Sequence, residues 1–315
     1  MDNDRTSRPA KRFRPRRSGW NSGKNLGVVI ALVATAAACG SSTVKSSTAK
    51  TSTSTTSVGA STGDLTAGFK QTSWGANVTV TYANGSLRYV SDGLPNHTRD
   101  AEYALPNAGG RAIPTAATAT AGKDPTKAQS YDYTISLTPE KASATTPASL
   151  GVIGVMISGA ALFNPYEGDG TTVATQSNFS VKNSQGQDVW FLDHCNGHPN
   201  PMGAYHYHAL PSCVTSKVDT TNGPSHIIGI AFDGYPIYGD RDLSGKKLTE
   251  SDLDSCNGIT SATPEFPEGV YHYVLLDVAG PASSIRCFSG TVDSSLTSMK
   301  AGMGGMPPGG GQPPN

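Results

Sequence analysis

The 315-residue sequence predicts a mainly β fold, all-β or β-rich α+β, built as a single domain between two ends that lack folding signals. Three observations predict it. Short runs of β-branched and aromatic residues alternate with polar ones, the signature of half-buried strands. Gly (36 residues), Pro (21), Asn and Asp break these runs every few positions, as turns require. No stretch carries the 3.6-residue apolar period of a long amphipathic helix.

Taken in order, Asn77–Tyr82 alternates, Ala83-Asn84-Gly85-Ser86 follows, and Leu87–Val90 resumes, which together read as a hairpin turning at Asn-Gly. Tyr131–Leu137 alternates again. Leu150–Ile157 is almost continuously apolar, as a strand buried on both faces would be. Ser180–Lys182, Val189–Phe191, Ala204–Ala209, Ile227–Phe232 and Val270–Leu276 are further strand candidates. The one modest helix candidate is Thr249–Asp254.

The ends read differently. Residues 1–38 form a secretory signal: a basic segment with Arg16 and Arg17, then the uncharged run Leu26–Ala38. That run has 13 residues, too short for the roughly 20 a spanning helix needs. It ends at Ala36-Ala37-Ala38-Cys39-Gly40, which resembles a bacterial lipobox, although Ala36 stands where Leu is usual. The expectation is an acylated Cys39 that holds the chain to the outer side of the cell membrane. The alternative is ordinary cleavage after an Ala-x-Ala site. Residues 39–63 form the linker: 15 of the 24 residues from Gly40 to Gly63 are Ser or Thr, too little apolar surface to order the segment. The folded domain is expected over 64–298, followed by a Gly/Pro/Met tail, 299–315. Met299, Met303 and Met306 in that tail offer thioethers to copper, though low-complexity sequence is the simpler reading.

The formal net charge of zero hides an asymmetry. Residues 1–38 hold 8 of the 24 basic and 2 of the 24 acidic residues, leaving 16 against 22, or −6, for the rest. An acidic chain lacks the basic footprint of a nucleic-acid binder. The membrane, reached through the lipid, is the one expected partner. Apart from Cys39, four cysteines remain, an even number that suits disulfides in an exported chain.

An internal repeat bears on their pairing. Leu192-Asp193-His194-Cys195-Asn196-Gly197-His198, then Gly203-Ala204-Tyr205-His206-Tyr207-His208, matches Leu253-Asp254-Ser255-Cys256-Asn257-Gly258-Ile259, then Gly269-Val270-Tyr271-His272-Tyr273-Val274. Each copy runs on to another cysteine, which favours Cys195–Cys213 and Cys256–Cys287 among the three pairings. Thiolate metal ligands are the rival reading.

Chemistry concentrates in the first copy. Five of the seven histidines (194, 198, 206, 208, 226) lie within 33 residues. Successive side chains of a strand point to opposite faces, so His206 and His208 share one face and can chelate one ion. A Cys195–Cys213 link would bring His198 over them as a third ligand. Three imidazoles suit copper or zinc. Asp193 is a candidate to accept the outer N–H of a ligating histidine, with His272 a further candidate in the supporting layer.

These residues resemble the bacterial YHYH-domain family, on Ser91–His97, Gly154–Pro165, Asp193–His198, Tyr205–His208, Ile228–Gly239 and Arg286–Gly290. The sequence departs from that pattern at Gly258-Ile259, where Gly-His is common, and at Gly159-Ala160-Ala161, where Gly-Val-Pro is common. The resemblance implies no reaction. It adds His97 to the ligand candidates and Asp233 to the supporting residues, although Asp233-Gly234-Tyr235-Pro236 reads equally as a tight turn. Three functions stand open: a membrane-anchored metal-binding protein, a metal-assisted hydrolase, and a non-catalytic envelope binding or structural module. No His-Glu-x-x-His motif is present to favour the second.

Overall fold

A computed structural model describes residues 63–107, 115–175 and 179–297. The signal segment, Cys39, the Ser/Thr-rich linker up to Thr62 and the Met-containing tail lie outside the described residues. The unit that contains the described residues is mainly β. In chain order its strands are β1 (Val78–Ala83), β2 (Ser86–Ser91), β3 (Glu102–Pro106), β4 (Ala119–Lys123), β5 (Tyr131–Ser136), β6 (Lys141–Pro147), β7 (Val152–Met156), β8 (Ala161–Phe163), β9 (Ser180–Lys182), β10 (Asp188–Trp190), β11 (Gly197–Pro199), β12 (Tyr205–Tyr207), β13 (Ile227–Ala231), β14 (Pro236–Tyr238), β15 (Gly258–Ser261), β16 (Val270–Val274) and β17 (Cys287–Gly290). Among the described residues, three short α-helices accompany them: α1 (Thr66–Phe69), α2 (Ser212–Val218) and α3 (Ser294–Thr297).

The expected hairpin forms: β1 and β2 pair antiparallel, with Asn84 and Gly85 both at positive φ in the turn, and β5 adds to β2. The alternation in β5 works as expected, since Tyr131, Tyr133 and Ile135 are buried while the residues between them are exposed. These rings pack against the central sheet, where Tyr133 meets Phe232 at 5.1 Å and the Tyr89 O–H donates to the Met156 carbonyl. Removing each such side chain from water stabilises the fold by roughly 1.5–3 kcal/mol. The Thr249–Asp254 expectation is corrected to a single 3-10 turn, Glu250–Asp252, closed by a capping box from Thr249. The seven-residue α2 was not anticipated, because it is too short to show an apolar period.

The central sheet has eight strands in the order β11-β12-β8-β7-β13-β14-β16-β15. It is two copies of one four-strand unit. In the first, β7 pairs antiparallel with β8, β8 runs parallel to β12, and β12 pairs antiparallel with β11. In the second, β13, β14, β16 and β15 repeat those relations in the same order. Even the irregularity recurs, as a register shift between Val152 and Gly154 and another between Ile227 and Gly229. The copies meet at β7 and β13, where Val155 pairs with Ile230, its own counterpart. The sheet therefore has a local two-fold axis through that pair. The duplication extends to Val152–Phe163 and Ile227–Tyr238, where Ile153, Gly154 and Gly159 match Ile228, Gly229 and Gly234. Gly159 and Gly234 both turn their hairpins at positive φ (102° and 89°), a conformation glycine adopts without strain.

Both cysteine pairs predicted from the repeat are present, Cys195–Cys213 and Cys256–Cys287, with Cα separations of 5.4 and 4.7 Å. In each copy one aspartate organises the loop before the outer hairpin. Asp193 Oδ1 accepts the N–H groups of Cys195 and Gly197, and its Oδ2 accepts the Tyr205 hydroxyl; Asp254 does the same for Cys256, Gly258 and Tyr271. Asn196 and Asn257 sit at φ of 60° and 71° in these loops, left-handed positions that asparagine tolerates.

Candidate metal centre

His206 and His208 lie at the centre of the first copy, on β12 and one residue beyond it. Tyr205 and Tyr207 point to the opposite face, as strand geometry requires. Antiparallel pairing of β11 with β12 sets His198 directly across from His206. The three Nε2 atoms converge: His206 and His208 are 2.9 Å apart, and His198 and His208 are 3.2 Å apart. Two imidazoles on one tetrahedral zinc, with Zn–N of 2.0–2.1 Å, lie about 3.3 Å apart. All three rings are buried, at 7%, 3% and 1% exposure for His198, His206 and His208. Phe163 stacks on His206 at 3.8 Å between centroids, and Phe191 meets the His198 ring edge-on at 4.4 Å.

Backbone carbonyls fix two of the tautomers. His206 Nδ1 is 3.1 Å from the Ala204 oxygen, and His208 Nδ1 is 2.7 Å from the Asn164 oxygen. A carbonyl only accepts, so each Nδ1 carries the proton and each Nε2 presents a lone pair. Two lone pairs facing each other at 2.9 Å repel unless a cation sits between them. Burial works against a proton there: it pushes His198 and His206 well below the usual imidazole range and His208 down to about 4. A metal ion satisfies both nitrogens, since its ligands must be deprotonated. The donor set therefore fits a transition metal.

Asn164 begins a hairpin loop that sequence reasoning did not single out. Its N–H and carbonyl groups close on themselves, Glu167 N–H to Thr172, Gly170 N–H to Glu167 and Ala174 N–H to Pro165. The loop presents Glu167, which is buried, with Oε1 4.0 Å from His208 Nε2. Burial pushes that carboxyl up to about 8. The run Asn164-Pro165-Tyr166-Glu167-Gly168-Asp169-Gly170 has no strand or helix period, so only its turn residues were legible.

The other candidate residues lie elsewhere. His97, expected as a ligand, is corrected: its Nε2 bonds the Tyr207 hydroxyl at 2.7 Å and its ring meets Tyr205, on the side of β12 away from the trio. It also lies beside Cys195 and Cys213, but their sulfurs are joined and are not thiolates. The carboxylate role expected for Asp193 is corrected too, because its oxygens serve Tyr103, Tyr205 and the loop amides, while carbonyls orient the imidazoles. Asp233 lies in the second copy, where it accepts the Tyr273 hydroxyl and the Gly290 N–H; burial lifts it to about 6. His272 is the two-fold counterpart of His206, with Nδ1 on the Val270 carbonyl, and Ile259 faces it where His198 faces His206. Of the remaining histidines, exposed His194 pairs with half-buried Asp100 and His226 with buried Glu265.

The fold and this pocket define a duplicated β-sheet protein with a buried three-histidine cluster in one copy. A family model described as YHYH protein matches residues 132–250 and 245–290, and the chain belongs to that family. No curated protein and no solved structure matches the chain.

Proposed function

We propose that this protein is an exported, lipid-anchored member of the YHYH family that binds one zinc or copper ion through His198, His206 and His208. The observation that carries the proposal is the convergence of three buried Nε2 atoms, two of them held in the lone-pair tautomer by carbonyls. Zinc bound there supplies Lewis acidity, and copper supplies one-electron chemistry. The chain contributes imidazole donors set at fixed separations and an apolar surround from Phe163 and Phe191 that limits solvent. Metal-assisted hydrolysis is the alternative chemistry, which requires that a fourth position on the ion stay open to water.

Adding Zn²⁺ or Cu²⁺ to metal-stripped protein is expected to raise its melting temperature, whereas Mg²⁺, which prefers oxygen ligands, leaves it unchanged. Equal melting temperatures under all three ions would remove the proposal's basis.

Export and anchoring are supported by the sequence of residues 1–39 and by two disulfides, which persist in oxidising compartments. No helix among the described residues is long and apolar enough to cross a membrane. In a bacterial host, Cys39→Ser is expected to move the protein from the membrane fraction to the soluble extracytoplasmic fraction. Retention of the variant in membranes would rule out a lipid at Cys39.

A further inference from the structure

We infer that Glu167 is the fourth ligand of the metal centre, so that the hairpin 164–174 closes the site as the ion binds. The inference rests on the three-histidine reading above and deepens it.

Three observations carry it. Glu167 is only 7% exposed, and its Oε1 has no hydrogen-bond partner. A buried carboxylate oxygen left unpaired is costly, so its location calls for a partner that the protein itself does not supply. That oxygen lies 4.0 Å from His208 Nε2. Ligand atoms on one tetrahedral zinc lie about 3.3 Å apart, so coordination asks the carboxylate to swing further towards the imidazoles.

Charge points the same way. A divalent ion held by neutral imidazoles between Phe163 and Phe191 would be a buried, uncompensated dication. One carboxylate halves that charge, and the ion in turn satisfies the orphan oxygen. Each group resolves the other's desolvation cost.

The hairpin meets the cluster at two points. Its first residue, Asn164, gives its carbonyl to His208 Nδ1 and its side-chain amide to the Ala148 carbonyl. Three residues on, Glu167 reaches the same imidazole from the other nitrogen's side. Metal binding therefore ties the loop down at Glu167 as well as at Asn164. The completed set, three imidazoles and one carboxylate with no sulfur, selects a divalent ion over Cu⁺, which prefers thiolate and thioether donors. It also fills the fourth position, which makes the centre a closed binding site with no place for a catalytic water.

Three proteins test this: the mature chain and its Glu167→Gln and Glu167→Asp variants, each stripped of metal and titrated with Zn²⁺ and with Co²⁺ as a spectroscopic probe. The wild type is expected to bind one ion of either. Glu167→Gln, which keeps the side chain's shape, is expected to bind at least about tenfold more weakly and to show an altered Co²⁺ visible spectrum. Glu167→Asp is expected to recover part of both. Amide exchange gives an independent readout: Zn²⁺ should slow exchange at Glu167, Gly170 and Ala174 in the wild type but not in Glu167→Gln. Wild-type affinity and an unchanged Co²⁺ spectrum in Glu167→Gln would overturn the ligand assignment while leaving the histidine site intact. A wild type that binds neither of these ions, nor Cu²⁺, would overturn both.

Discussion

Replacing His206 and His208 together by alanine is expected to lower bound metal from about one equivalent to less than about a tenth, with the sheet retained. Both side chains contribute a lone pair to the same point, so neither alone sustains the site. The variant should also lose metal-dependent stabilisation, which for the intact protein at a thousandfold excess over Kd amounts to about 4 kcal/mol. Truncating buried rings carries its own cost, and the duplication supplies the control. His272 occupies the position equivalent to His206, equally buried and likewise bonded to a carbonyl two residues back, but faces Ile259 and lacks the trio. His272→Ala should therefore cost a similar packing energy, roughly 2–4 kcal/mol, and leave metal content unchanged. Metal loss in both variants to the same degree would mean that the effect is one of folding. Elemental analysis alongside circular dichroism reads the two outcomes.

The second large effect separates the two disulfides. Removing Cys195–Cys213 or Cys256–Cys287 by paired alanine substitution releases loops of 18 and 31 residues. The chain-entropy estimate gives losses of about 3 and about 4 kcal/mol, measurable by urea denaturation. Their consequences for metal should differ. Cys195 lies three residues before His198 and ties its loop to Cys213 at the start of α2, beyond His208. Without that tie, the cost of ordering His198 against β12 falls on the metal-binding step, and affinity should drop on the order of tenfold. Cys256–Cys287 staples the other copy, where Ile259 and Val274 stand in place of His198 and His208. Its removal should destabilise the protein and leave the wild-type affinity within about twofold. Equal losses of affinity from the two pairs would show that the first disulfide has no local role.

The pattern that made the fold legible was local. Alternation marked β1, β2 and β5, an apolar run marked β7, and Asn-Gly marked the first hairpin, because each is a property of neighbouring residues. The strands β8, β11, β14 and β15 escaped notice, as did β3, β4, β6 and β17, since they are short or rich in Ala, Gly, Thr and Lys and so show no clear apolar alternation. The Cys loops gave the repeat away through identical residues, Leu-Asp-x-Cys-Asn-Gly, which the turn and the disulfide both require. The remainder of the duplication is carried by packing, where Val155 and Ile230 or Leu162 and Ile237 serve equally well, so it emerged only in the register.

The histidine cluster was half legible in the sequence. The period of a strand put His206 and His208 on one face, and the repeat's cysteines brought His198 towards them. His97 and Asp193 were misplaced for a common reason: proximity in a motif does not say which face of β12 a side chain meets. Glu167 was not singled out because it reaches His208 from an irregular loop 41 positions earlier, and nothing in a Pro-Tyr-Glu-Gly run marks a buried carboxylate.

The central claim is that His198, His206 and His208 hold a metal ion. The most direct measurement is elemental analysis of the mature chain, purified without a polyhistidine tag and again after incubation with Zn²⁺ and Cu²⁺ followed by exhaustive dialysis. About one equivalent of zinc or copper per chain is the predicted result. Protein that comes out metal-free from both treatments would contradict it.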